Sequence, residues 1–96
     1  MAVLVDDPLW WWRGRRWCHL VSDASYQELH AFADGVGIPR RAFQGDHYDI
    51  PEDRRAGVVD AGAIEVPSRE LLARLRAAGL RLGPHERRAW KSANGG

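Results

Sequence analysis

Apolar residues fall into short runs whose spacing changes along the chain. Ala2-Val3-Leu4-Val5 is continuous, which suits a strand covered on both faces, and Pro8 ends it. Leu9 to Trp17 mixes Trp10, Trp11, Trp12 and Trp17 with Arg13, Arg15 and Arg16, and reads as a loop or irregular segment. Cys18-His19-Leu20-Val21-Ser22 predicts a second strand, with His19 and Val21 on one face and Cys18, Leu20 and Ser22 on the other. The period then becomes helical. Ser25 and Glu28 make a capping-box pair, Leu29, Phe32, Ala33 and Val36 form one apolar stripe, and Gly35 and Gly37 supply the stop.

After Ile38-Pro39 and Arg40-Arg41, a short third strand is expected from about Ala42 to Gln44. Pro51 suits the first position of a second helix reaching about Asp60, with Glu52 and Asp53 against its positive end and Gly62 closing it. Ala63-Ile64-Glu65-Val66 is a fourth strand, and Ser68 is placed to cap a third helix that carries Leu71, Leu72 and Leu75 and stops at Gly79. The order β-β-α-β-α-β-α predicts a small single α/β domain over residues 1–83, with about four mostly parallel strands and three helices. Residues 84–96 are polar and predict a flexible tail.

Composition narrows the class of protein. Hydrophobic residues at 45% and charged residues at 28% describe an ordinary soluble globular chain. The first apolar run is too short for a signal peptide and no stretch suits a membrane span, so a cytoplasmic location is expected, without a membrane partner. Cys18, the one cysteine, excludes an intramolecular disulfide and a cysteine-based zinc knuckle. A net charge of +1 argues against a strongly basic nucleic-acid binder, but thirteen of the fourteen basic residues are arginine, whose planar fork grips phosphate or carboxylate. GC-rich coding accounts for that total, though not for local clustering.

Chemistry concentrates in Phe43-Gln44-Gly45-Asp46-His47-Tyr48-Asp49, where two carboxylates, an imidazole and a phenol occupy four consecutive positions. In open α/β sheets, ligands gather beyond the carboxyl ends of the strands. Asp6 and Asp7 follow the first strand, Asp23 the second, and Asp46 and Asp49 the third. If the second strand is antiparallel, Asp23 moves to the far side. Asp46, His47 and Asp49 are the candidate catalytic residues, with His47 a base oriented by either carboxylate. Asp6, Asp7, His19 and His47 are candidate ligands for a divalent metal such as Mg²⁺, Mn²⁺ or Zn²⁺. The plainer reading makes Gly45-Asp46 a turn and Asp49 a helix cap. Tyr48 is expected with its hydroxyl bonded, and His30 as an exposed or capped helical residue.

Trp12, with Arg13, Arg15 and Arg16, forms a second candidate surface, where a base stacks on tryptophan and guanidinium groups hold phosphates. The same segment also reads as a cap over an undersized core, or as a homodimer contact. A glycine-rich phosphate loop and a Gly-x-Ser-x-Gly elbow are both absent. Cys18 beside His19 is a poor nucleophile–base pair, because strand neighbours point to opposite faces.

Trp12-Arg13-Gly14-Arg15, Trp17-Cys18-His19-Leu20, Leu29-His30-x-Phe32-Ala33, the whole of Phe43–Asp49, Gly62-Ala63 and Ser68-Arg69-Glu70 together resemble the small bacterial and phage domain of unknown function 4031, over residues 1–78 or so. The resemblance implies no activity, substrate or metal. It draws attention to Cys18, His19 and Arg69 beside the heptapeptide, and Arg69 joins the candidate substrate-binding residues. The leading expectation is a ligand-binding or metal-assisted hydrolase-like domain acting on a phosphate-bearing substrate, an anionic small molecule or nucleotide. The alternatives are a non-catalytic nucleotide- or nucleic-acid-binding module, and an interaction or dimerisation domain.

Overall fold

The tryptophan-rich segment, expected to be irregular, is one arm of a β-hairpin. The computed structural model describes residues 2–94, so Met1 and the last two residues of the expected tail, Gly95 and Gly96, lie outside the described residues. Trp10–Trp12 (β2) runs antiparallel to the first part of Arg15–Ser22 (β3), with Trp10 opposite Trp17. Arg13 and Gly14 make the turn between them with φ of 52° and 76°. Two positive φ values give the tight turn whose twist matches its strands, a conformation that glycine adopts freely and arginine rarely. The usual Asn-Gly signal is therefore missing from the sequence.

Val3–Val5 (β1) pairs antiparallel with the other end of β3, Leu4 opposite Val21. The amides of Asp6 and Leu9 continue this edge, donating to the carbonyls of His19 and Trp17 at 3.2 and 3.1 Å. β1 and β2 are thus two parts of one edge, interrupted around Asp6 to Pro8. Tyr48–Pro51 (β4) covers the opposite edge of β3, setting Asp49 opposite His19. Ile64–Glu65 (β5) lies beside β1 and is parallel to it.

The mostly parallel, four-strand, three-helix expectation is therefore corrected: among the described residues the sheet has five strands, mostly antiparallel with one parallel pair, and there are four α-helices. The third strand expected at Ala42 to Gln44 is replaced by a 3-10 turn, Arg40–Ala42, and Phe43 makes only an isolated bridge to Tyr48. The strand forms instead at β4, where Tyr48 and Ile50 are buried and Asp49 and Pro51 alternate outward. As an outer strand it tolerates Pro51, which precedes rather than begins the next helix.

Tyr26–Gly35 (α1) and Glu52–Asp60 (α2) cover one face of the sheet, where Leu29, Ala33 and Val58 pack with Val5, Leu20 and Ile50. Ser68–Ala77 (α3) covers part of the other face through Leu71 and Leu75 on Leu4 and Val21. Each such leucine or valine contributes about 1.5–3 kcal/mol by leaving water. The Ser25 cap forms as expected, its hydroxyl accepting from the Glu28 amide at 3.0 Å. The Glu28 carboxylate takes its hydrogen from Ser22 at 2.6 Å.

A fourth helix, Pro84–Ala93 (α4), occupies most of the stretch expected as a polar tail. Its Trp90 meets the Phe43 ring edge-on at 5.7 Å. Gly45, at φ 99°, fits beneath: a Cβ there would lie 2.9 Å from Leu82 Cδ1 and 3.3 Å from the Trp90 ring. This close approach brings the start of α4 over the acidic heptapeptide. Among the described residues, no helix is long and apolar enough to cross a membrane.

Candidate metal centre

Asp6 sits where the first edge breaks, and the break turns its side chain toward β3. Its Oδ1 accepts from the His19 amide at 2.6 Å, and its Oδ2 lies 2.7 Å from His19 Nδ1. The Ser68 hydroxyl donates to the same Oδ2 at 2.7 Å. Asp6 is fully buried, and burial alone would raise its pKa; the hydrogen bonds from His19 and Ser68 outweigh it and hold the carboxyl below its ordinary range. Ser68 thus serves the site from the first turn of α3 and does not cap the helix. Asp7, in contrast, is exposed and faces Arg55 at 3.7 Å.

The heptapeptide closes on itself through the Gln44 amide, which donates to the His47 carbonyl at 2.7 Å. That turn buries Asp46 completely, with Oδ1 2.7 Å from His47 Nδ1. Oδ2 accepts from the Leu82 amide at 2.9 Å and faces Arg81 and Arg87 at 3.5 and 3.6 Å. Desolvation opposes ionisation here too, but His47, the Leu82 amide and Arg87 keep the Asp46 pKa low. His47 Nε2 lies 3.0 Å from Asp49 Oδ1. Burial disfavours the imidazolium, yet bonds to Asp46 and Asp49 outweigh it and raise the His47 pKa.

The register of β3 and β4 puts Asp49 beside His19, and the heptapeptide turn brings His47 to both. One donor atom from each of His19, His47 and Asp49 lies within 4.8 Å of the others. The two imidazoles meet edge to face at 5.0 Å, and Trp10 stacks on His19 at 4.4 Å. Buried carboxylates occupy both Nδ1 positions, leaving Nε2 of each ring as the candidate ligating nitrogen. A carboxylate behind the imidazole fixes its tautomer and increases its basicity, as in histidines that bind metals. Two imidazoles and one carboxylate suit Zn²⁺, Mn²⁺ or Fe²⁺ and leave positions for water and substrate. Behind them lies a cavity of about 230 Å³ bounded by Asp6, Ser68, Leu71 and Arg81.

The expected site residues separate into two groups. Asp6, His19, Asp46, His47 and Asp49 come together, with Asp6 and Asp46 behind the histidines. Tyr48 and Cys18 belong to the opposite face. The Tyr48 hydroxyl bonds His30 Nδ1 at 2.7 Å, and burial pushes the Cys18 thiol up to about 12. Asp23 holds the Ala2 amide and Arg74 at the distant end of antiparallel β3. Arg16 lies over Trp11, and Arg15 faces Asp53 at 3.7 Å. Arg13 lies over Trp12 on the side of the site, while Arg69 is exposed on α3. Sequence pattern does not reveal Trp10, Ser68, Arg81 and Arg87 as neighbours of the candidate site: the segments of Trp10, Ser68 and Arg87 read as loop, cap and tail, and Arg81 follows the expected helix stop at Gly79 with no pattern of its own.

The fold and these residues define a small α/β protein with a candidate His/His/Asp metal-binding cluster. The chain belongs to the family described as protein of unknown function DUF4031, whose model matches residues 3–78. The matched segment contains Asp6, His19, Asp46, His47 and Asp49, while Arg81, Arg87 and α4 lie beyond it. Comparisons with curated proteins and with solved structures give no match.

Proposed function

We propose that this domain is a divalent-metal-dependent hydrolase of phosphate esters. The carrying observation is the pair of buried carboxylates on Nδ1 of His19 and His47, beside a cluster in which one donor atom each of His19, His47 and Asp49 lies within 4.8 Å of the others. Asp46 and Asp6 are positioning residues, and His19, His47 and Asp49 are the ligands. The bound cation would acidify water and neutralise phosphate charge. Arg87 and Lys91 border the open side of the same cluster, where they would hold the non-bridging phosphate oxygens. Hydrolysis adds water across one ester bond: the water oxygen bonds phosphorus, and the departing alcohol leaves with a proton.

The arginine beside the ligands favours phosphate esters over neutral substrates. The test is hydrolysis of bis(p-nitrophenyl) phosphate with Mn²⁺ or Zn²⁺. Wild type should release nitrophenol, and chelation or Asp49→Ala should abolish the release. Equal turnover by wild type and Asp49→Ala would overturn the proposal.

A further inference from the structure

Three depressions adjoin one another through shared wall residues, the middle one carrying His19, His47 and Asp49. The middle one, 280 Å³, holds these residues together with Trp10, Arg87 and Lys91. On one side it shares Trp10, Gln44 and Asp49 with a 580 Å³ groove walled by Trp12, Trp17, Arg13 and Arg41. On the other it shares Arg87 and Lys91 with a 690 Å³ groove that adds Arg76, Arg81 and Arg88.

The two outer grooves differ in chemistry. Five of the chain's fourteen Lys and Arg side chains line the larger, with no carboxylate in its wall, although the whole chain carries only +1. Arg76, Arg88 and Lys91 make no ion pair among the described residues. Unneutralised cations along one groove match a repeating anion. The smaller groove is aromatic: strand alternation puts Trp10, Trp12 and Trp17 on the His19 side, and Trp12 keeps 53% of its surface exposed. Arg13 lies over one face of its ring, 4.5 Å from the centre, so a stacked base would take the other face, with this cation near its phosphate.

We infer that this track binds single-stranded nucleic acid, with bases stacked at Trp12 and the backbone in the arginine groove, so that a phosphodiester crosses His19, His47 and Asp49. The position of the cleaved phosphodiester rests on the hydrolase reading; the binding itself does not. A duplex has no free base face to offer Trp12, and so does not use the aromatic half of the track.

Fluorescence anisotropy of a labelled oligothymidylate about ten nucleotides long, comparable to single-strand site sizes, tests the inference in the presence of chelator. Wild type should bind at low salt and weaken steeply as salt rises. Arg76→Glu with Arg88→Glu should weaken binding about tenfold or more, since each reversed charge repels a phosphate that the arginine would neutralise. Trp12→Ala should cost about tenfold for the single strand and leave duplex binding unchanged. All three altered residues are exposed, so circular dichroism should show an intact fold. Absence of binding at low salt overturns the inference, as does single-strand affinity that ignores Trp12→Ala. Because no metal is present, either outcome leaves the metal-dependent reading to its own assay.

Discussion

Asp6 and His19 are joined twice: Oδ1 accepts the His19 amide at 2.6 Å, and Oδ2 lies 2.7 Å from the imidazole Nδ1. One carboxylate thereby fixes both the strand position and the ring orientation of a candidate ligand. Replacing Asp6 by Asn should lower metal affinity about 10–100-fold, the usual cost of losing a carboxylate behind a ligating histidine. Calorimetric titration measures it. Unchanged affinity in a folded D6N protein would show that Asp6 has only a structural role.

Asp46 links the heptapeptide to the chain leading into α4. Asp46→Ala removes the acceptor for the Leu82 amide and the partner of His47, and leaves Arg81 and Arg87 without their shared carboxylate. Breaking a buried pair by removing one partner costs about 3–5 kcal/mol. The urea midpoint should fall accordingly, with loss of the near-ultraviolet signal from Trp90. A loss below 1 kcal/mol or so would mean that α4 is not anchored by this residue.

Gly45→Ala tests the same docking by packing. The new methyl would meet Leu82 Cδ1 at 2.9 Å on a backbone of φ 99°. Overpacking and the left-handed strain predict a loss of about 1–3 kcal/mol in equilibrium unfolding.

Acid should unfold the protein through Asp6 and Asp46. Both have folded pKa values below the ordinary 3.8, so the unfolded chain binds their protons more tightly. Their contribution is complete above that ordinary value and is lost as pH falls through the depressed folded values. Urea midpoints across a pH series should therefore drop on the acid side, and Asp46→Asn should flatten the drop. An equal slope in the variant would contradict this account.

Cys18 should behave as an inert core thiol. It is fully buried, donates to the Ile50 carbonyl at 3.5 Å, and its pKa is pushed up to about 12 by burial, with the Asp6 charge adding to the shift. Iodoacetamide should label it in urea and not in the native state. Rapid native labelling would place Cys18 in an accessible site.

The α1 boundaries and the inward pattern of Cys18, Leu20, Leu29 and Ala33 were legible because local caps and periodicity agree with the final packing. The strand directions were not. They depend on a turn at Arg13-Gly14 in which arginine takes the conformation more often occupied by asparagine, and local pattern carries no sign of it. Ser68 reads as a cap until Asp6, distant in sequence, supplies a competing acceptor. The acidic heptapeptide was legible as a concentration of reactive groups. Its division into candidate ligands and supporting carboxylates was not, since that follows from the His19–Asp49 register and from which ring nitrogen each carboxylate takes. Arg81 and Arg87 acquire meaning only when α4 folds back, a long-range event held by Gly45 and Trp90.

The most direct test is calorimetric titration of the metal-free protein with Zn²⁺ or Mn²⁺ in buffers of different ionisation enthalpy. Ligation requires His47 to lose the proton shared between Nε2 and Asp49, and its pKa is raised, so affinity should strengthen as pH rises through that pKa. One ion should bind per chain, with proton release, and none should bind in His19→Ala, His47→Ala or Asp49→Ala. Absence of binding heat with wild type, or undiminished binding in those three variants, would contradict the metal-dependent reading.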